Sequence, residues 1–139
     1  MKRISLILLW GFCSMALSNV SFHGYLVQPP NCTISNAQTI EITFQDVLID
    51  DINGSNYEQT VPYSITCDTA VRDPLMEMTL SWSGTPSEFD NAAVSSNITG
   101  LGIQLKQAGQ SFTINTPLVV NETDLPVLTA VPVKKSGVV

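Results

Sequence analysis

The sequence has little charge, and this shortage already narrows the classes of protein to which it can belong. Charged residues make up 13% of the 139 residues, about half of the roughly 25% that is usual in globular proteins. So sparse a surface charge favours a protein that covers part of itself by assembling with others. The formal net charge is −6, so nothing in the balance attracts phosphate, and nucleic-acid binding is not expected.

Histidine is almost absent, which limits the chemistry that the chain can perform. His23 is the single histidine, so a nucleophile–histidine pair or a histidine-rich metal site is hard to build. The cluster Asp46, Asp50 and Asp51 lacks the ligand spacing of a calcium loop. No two carboxylates stand out as a glycosidase pair. We therefore expect no catalytic residue, no metal site and no small-molecule cofactor.

No apolar run reaches the length of about 20 residues that a membrane-spanning helix needs. The short run at residues 4–12 follows Lys2 and Arg3 and precedes the small residues Ala16 and Ser18. This order is typical of a secretory signal peptide. We expect residues 1–18 to be this signal, with cleavage after Ser18. The mature chain would then keep four basic residues against twelve acidic ones, a net charge of −8.

Cysteines are few, and their number agrees with export. Cys13 lies within the predicted signal, so Cys32 and Cys67 remain as one pair. An even number in an exported chain predicts a disulfide. It would close a loop of 35 residues, worth roughly 3–4 kcal/mol on the chain-entropy estimate. The alternative is two free, buried thiols.

The pattern that is present is one of short alternating apolar runs, with no strong helical periodicity. These runs lie at residues 40–44, 61–67, 76–82, 101–105 and 125–133. Turn residues such as Asn53-Gly54 separate them, because both tolerate positive φ. Many short strands with this spacing favour a single β-sandwich domain. Residues 87–99 are predicted to be a polar loop, with local packing at Ala92 to Val94 left open. Trp82 is predicted to be a core residue rather than a platform for sugar.

The most distinctive stretch comprises residues 19–32. In it, Val20, Phe22, Gly24 and Leu26 alternate with a second row of side chains, as in a strand with one buried face. A glycine in the buried row weakens a strand unless another group must come close, and two prolines then end the segment. We interpret it as a strand that is inserted into a partner's sheet. An ordinary first strand of a sandwich is the open alternative.

Several segments, in order, resemble the pilin subunits of chaperone–usher fimbriae, the type 1 and P-type pili of Gram-negative bacteria. They are residues 20–27, with a glycine in the inward row, 30–34 and 64–67 around the two cysteines, 40–47, and 97–105. Together they span most of the mature chain. The short distance from the predicted cleavage site to Cys32 is most similar to minor tip or adaptor subunits.

This resemblance implies an all-β fold, an incomplete immunoglobulin-like β-sandwich that lacks its last strand and has one disulfide. It implies a donor-strand extension at residues 19–30 and a pilin domain at 31–139. Val20, Phe22, Gly24 and Leu26 would enter a neighbour's groove, a form of strand addition. Family members usually continue past residues 127–133 into another strand, and this chain stops at Val139, so that strand is expected to be missing.

The implied function is that of a structural or adaptor subunit that polymerises by donor-strand complementation and contributes to cell adhesion, without enzyme activity. Its partners would be a periplasmic chaperone, an outer-membrane usher and neighbouring pilin subunits. It would be exported through the periplasm to the fimbrium on the cell surface. The alternative is a secreted immunoglobulin-like module that binds carbohydrate or protein through its loops and stays monomeric.

Overall fold

The structure is a computed structural model that describes residues 20–26, 28–68 and 75–138. Within these ranges the regular elements are β-strands and two short 3-10 turns, Ser35–Ala37 and Ile49–Asp51. The predicted all-β class is therefore confirmed. The predicted signal peptide at residues 1–18 lies outside the described residues.

Three antiparallel sheets make up the described fold. In the first, β1 (Cys32–Ile34) pairs with β3 (Ile65–Cys67). The largest sheet has the order β2, β9, β6, β5, formed by Gln59–Thr60, Leu128–Lys134, Leu101–Gln107 and Ala93–Ser95. A hairpin adds β7 (Gln110–Ser111) to β6. In the third sheet, β4 (Met78–Leu80) pairs with β8 (Leu118–Val120).

The core lies where these sheets face one another. Its buried cluster consists of Leu80 of β4, Phe112 just after β7, Val120 of β8 and Leu128 of β9. Partly buried apolar side chains pack around it: Val61, Tyr63, Ile65, Met78, Trp82, Leu105 and Leu118. The core thus combines side chains of the β4–β8 sheet with side chains of the largest sheet. This arrangement is consistent with the predicted immunoglobulin-like sandwich.

Trp82 belongs to this core, as the alternating pattern predicts. Its ring packs against the buried cluster, and its indole Nε1 donates a hydrogen bond to the carbonyl oxygen of Phe112 at 2.7 Å. Buried indoles usually find such a partner, because an unsatisfied N–H is costly inside a protein. The indole ring of Trp82 is therefore part of the core.

The disulfide predicted from cysteine number is confirmed. Cys32 and Cys67 lie directly opposite each other in the β1–β3 pairing and are bonded at 2.07 Å. This sheet has three residues in each strand, and so small a two-stranded sheet is marginal in water. The cross-link therefore holds the beginning of the domain to the strand that ends at Cys67.

The prediction of a loop over residues 87–99 is wrong for three of them, because β5 (Ala93–Ser95) lies there and pairs with β6. Gly102 of β6 faces Ser95 across this pair. A Cβ atom at Gly102 would lie 3.0 Å from the carbonyl oxygen of Val94, closer than side chains ordinarily pack. The glycine in β6 therefore allows β5 to lie close beside it. The polarity of residues 87–99 does not reveal this partner, because strand formation depends on the neighbouring strand.

Candidate assembly site

The N-terminal segment (residues 20–26) projects from the domain and exposes its apolar side chains. Phe22 is 91% exposed, Leu26 101% and Val20 69%. A Cβ atom at Gly24 would meet nothing within 4 Å. Large apolar side chains left this open are unusual on a protein that works alone, and they mark surfaces that another molecule covers.

The two rows that the sequence distinguishes are not distinguished by burial in the isolated chain. Tyr25, in the outer row, is 99% exposed, much like Phe22 and Leu26 of the inner row. Ser21 and His23, also in the outer row, hydrogen bond to each other at 2.8 Å. The inner and outer assignment therefore stays a prediction about a bound state.

An open groove of about 660 Å³ lies beside the root of this segment. Its apolar lining joins the root to β4 and β8: Pro29, Pro30, Cys32, Met76, Met78, Val119 and Val120. Polar side chains also line it: Glu77, Asn121, Glu122 and Asp124. Pockets of this size with a mainly apolar lining and a few polar groups are typical of binding sites.

The stretch 40–44 is a second candidate feature, because its backbone groups have no backbone hydrogen-bond partner among the described residues. Its burial alternates as predicted for a strand, with Ile40, Ile42 and Phe44 half-buried and Glu41 and Thr43 exposed. Yet no strand is formed there, and no backbone hydrogen bond joins residues 39–47 to another described residue. Among the described residues, the predicted strand has the side-chain pattern but no paired neighbour, as at an exposed sheet edge.

Other chemistry is not assembled in the part of the chain that the structure describes. No group of three His, Cys, Asp or Glu residues there is placed to hold a metal ion. A second, more polar pocket is lined by several hydroxyls, but those of Ser87, Ser95 and Ser96 donate to carbonyl oxygens of the protein itself. These hydroxyls are engaged in holding their own loops.

Comparison with known proteins decides the family. Residues 20–136 match the family of fimbrial proteins. The chain belongs to this family. As a fimbrial protein it is a structural subunit, it associates with other pilin subunits, and its place is in a surface-exposed appendage. The family is typically without enzyme activity.

Two relatives in Escherichia coli K12 are similar to this fimbrial protein over most of its length. The uncharacterized fimbrial-like protein YfcQ is 49% identical over 124 residues, which cover 87% of this chain and 76% of YfcQ. The uncharacterized fimbrial-like protein YfcR is 33% identical over 116 residues, covering 78% of this chain and 64% of YfcR. No solved structure matches. In the three described ranges, no helix has the length and apolar character to cross a membrane.

Proposed function

We propose that this fimbrial subunit joins its neighbours by donor-strand complementation, with the N-terminal segment as the donated strand. The observation that carries the proposal is the exposure of Phe22 and Leu26 on a segment that makes no part of the core. Insertion between the strands of a partner would pair its backbone and bury the inner row. Burying each large side chain contributes about 1.5–3 kcal/mol.

The same chain offers an acceptor. The groove beside β4 and β8 supplies apolar lining, and residues 39–47 supply backbone groups that no other described residue pairs with. A strand donated from outside would satisfy such groups, as in other cases of strand addition. Donor and acceptor on one molecule are the two parts that a linear fibre needs, because head-to-tail contacts that do not close into a ring continue as a filament.

The finer assignments follow from this proposal. Residues 19–30 are the donor extension and 31–139 the pilin domain, with the chain in an adaptor position and contributing to adhesion. A periplasmic chaperone is the first occupant of the groove, before the usher and the next subunit. Export through the periplasm agrees with the disulfide between Cys32 and Cys67, since such bonds persist in oxidising compartments.

The proposal is tested first with a synthetic peptide of residues 19–27. The acceptors are this chain without residues 19–27 and the E. coli relatives YfcQ and YfcR without their matching segments. Each acceptor is refolded with and without the peptide, and complexes are counted by native mass spectrometry. We expect a stable one-to-one complex and a raised melting temperature with at least one acceptor. The absence of any complex with all three would contradict the proposal.

Gly24→Val provides the sharper test. The free chain has open space around Gly24, so any loss must arise inside the acceptor. Overpacking costs about 1–3 kcal/mol, and we therefore expect affinity to fall roughly 5- to 150-fold. The matched control is Ser21→Val, which places the same side chain in the outer row and should bind like wild type. Equal affinities of the Gly24→Val and wild-type peptides would refute the role of Gly24.

A further inference from the structure

A carboxylate holds the junction between the N-terminal extension and the domain. Asp68 follows β3 directly and lies opposite Asn31, which precedes β1. The N–H of Asp68 donates to the carbonyl oxygen of Asn31 at 3.0 Å. The β1–β3 ladder therefore continues by one hydrogen bond beyond the disulfide, toward the point where the chain leaves the domain.

The side-chain carboxylate of Asp68 accepts two further hydrogen bonds, both from Asn31. The backbone N–H of Asn31 donates to Oδ1 of Asp68 at 3.0 Å, and Nδ2 of Asn31 donates to Oδ2 at 3.0 Å. Hydrogen bonds to an ionised acceptor are roughly twice as strong as neutral ones. A single exposed contact contributes little, but a two-point contact to one carboxylate fixes the direction of Asn31 as well as its position.

The residues just outside Asn31 are stiff. Pro29 and Pro30 have φ fixed near about −65°, and each restricts the residue before it to extended conformations. Neither proline has an N–H, so neither can donate to a ladder with the chain's own strands. Residues 28–31 therefore form a short stalk that carries the orientation set at Asn31 outward to the N-terminal segment.

We propose that Asp68 is a positioning residue for the donated strand. Its carboxylate fixes, through Asn31 and the stalk, the direction in which residues 20–26 leave the domain. The inference rests on the proposed donor function and adds a residue outside the donated strand to it. Ordering a flexible segment on binding is a main free-energy cost of association. A segment whose direction is already fixed avoids part of this cost when it enters a neighbour's groove.

The first measurement needs no acceptor. Backbone order parameters of Gln28 and Asn31 are measured by NMR relaxation in the intact mature chain and in Asp68→Ala. We expect them to fall from about 0.85 to below about 0.6 in the variant. Asp68→Asn, which keeps one acceptor oxygen, should give intermediate values. Thr33→Val is the matched control, because Thr33 Oγ1 bonds to the carbonyl oxygen of Thr66 across the same two strands at 3.4 Å; it should leave both order parameters unchanged.

The second measurement is the rate of insertion into the acceptor that binds the peptide described above. We expect intact Asp68→Ala chain to insert roughly tenfold more slowly than intact wild type, because its stalk must be ordered at each encounter. The free peptide of residues 19–30 lacks Asp68 in every case and sets the rate of an unpositioned donor. Asp68→Ala should approach that rate, and Thr33→Val should retain the wild-type rate.

The outcomes separate the two proposals. Unchanged order parameters in Asp68→Ala would overturn the positioning role, and so would equal insertion rates of Asp68→Ala and wild type. Failure of the peptide and of the wild-type chain to enter any acceptor would overturn the donor function and, with it, the purpose of the positioning. A circular dichroism spectrum of Asp68→Ala that matches wild type establishes that the domain is folded in each comparison.

Discussion

At the scale of single residues, Tyr63 ties the strand region before β3 to the approach of β9. Its hydroxyl donates to the carbonyl oxygen of Pro126 at 2.6 Å, and its ring packs against the buried cluster. Burial raises the pKa of the Tyr63 hydroxyl above its ordinary value, because the charged phenolate loses solvation. The folded state therefore holds this proton more tightly than the unfolded state does.

This shift predicts a loss of stability at alkaline pH. The contribution of Tyr63 is fully present below its unfolded pKa of about 10 and decreases as pH rises beyond it. At neutral pH, Tyr63→Phe should lower the free energy of unfolding by about 0.5–1.5 kcal/mol through the lost hydrogen bond. Urea unfolding of both proteins should show this difference shrinking above about pH 10. A difference that stays constant to about pH 11 would contradict the prediction.

At the scale of elements, Lys106 joins β6 to the turn that precedes β2. Its ammonium group makes an ion pair with Glu58 at 3.6 Å, and the Lys106 side chain is only 12% exposed. It also donates a hydrogen bond to the carbonyl oxygen of Gly54. The turn is shaped by Asn53, whose Oδ1 accepts from the N–H groups of Ser55 and Asn56. The predicted Asn53-Gly54 turn is thus confirmed, with Gly54 at φ +77°.

Removing this ammonium group should loosen the attachment of the turn. Lys106→Met keeps the apolar stem but leaves the carbonyl oxygen of Gly54 and the carboxylate of Glu58 without their cation. We expect the free energy of unfolding to fall by about 1–3 kcal/mol, measured by chemical denaturation. Lys135→Met is the control, because Lys135 is exposed and surface substitutions usually change stability by less than about 0.5 kcal/mol. Equal changes in the free energy of unfolding for the two substitutions would contradict a stabilising role of the Lys106 ammonium group.

The stretch 40–44 shows the limit of periodicity at this scale. Alternation reports which side chains lie on the inner face, and the half-buried Ile40, Ile42 and Phe44 agree with it. It does not report whether another strand lies alongside, since pairing is a property of two segments. The sequence therefore predicts the conformation and the face, and only the tertiary structure shows that no described strand lies alongside.

At the scale of the whole molecule, the N-terminal segment stands apart from the core. The described residues of the N-terminal segment add exposed apolar surface and no side chain to the core. An ordinary first strand of a sandwich would instead be buried and hydrogen bonded. The two interpretations left open by the sequence therefore differ in what removal of the segment does to stability.

Deleting residues 19–27 should leave the free energy of unfolding within about 0.5 kcal/mol of the intact mature chain. It should also abolish donation to an acceptor and reduce self-association, measured by analytical ultracentrifugation. A large loss of stability on deletion would favour the ordinary-strand interpretation. A cooperative monomer that folds equally well with and without the segment, and never donates it, would favour the secreted recognition module.

The sequence by itself determined the all-β class, the disulfide between Cys32 and Cys67, the core position of Trp82 and the family resemblance. The class and the position of Trp82 follow from alternation and turn residues, which act over a few positions, and the disulfide follows from the number of cysteines left in the exported chain. Tertiary structure alone decided the strand at Ala93–Ser95, the lack of a described partner for residues 39–47 and the contact between Asp68 and Asn31. Each of these depends on how two segments pair, whether they are neighbours in the chain, as at Ser95 and Gly102, or 37 residues apart, as at Asn31 and Asp68.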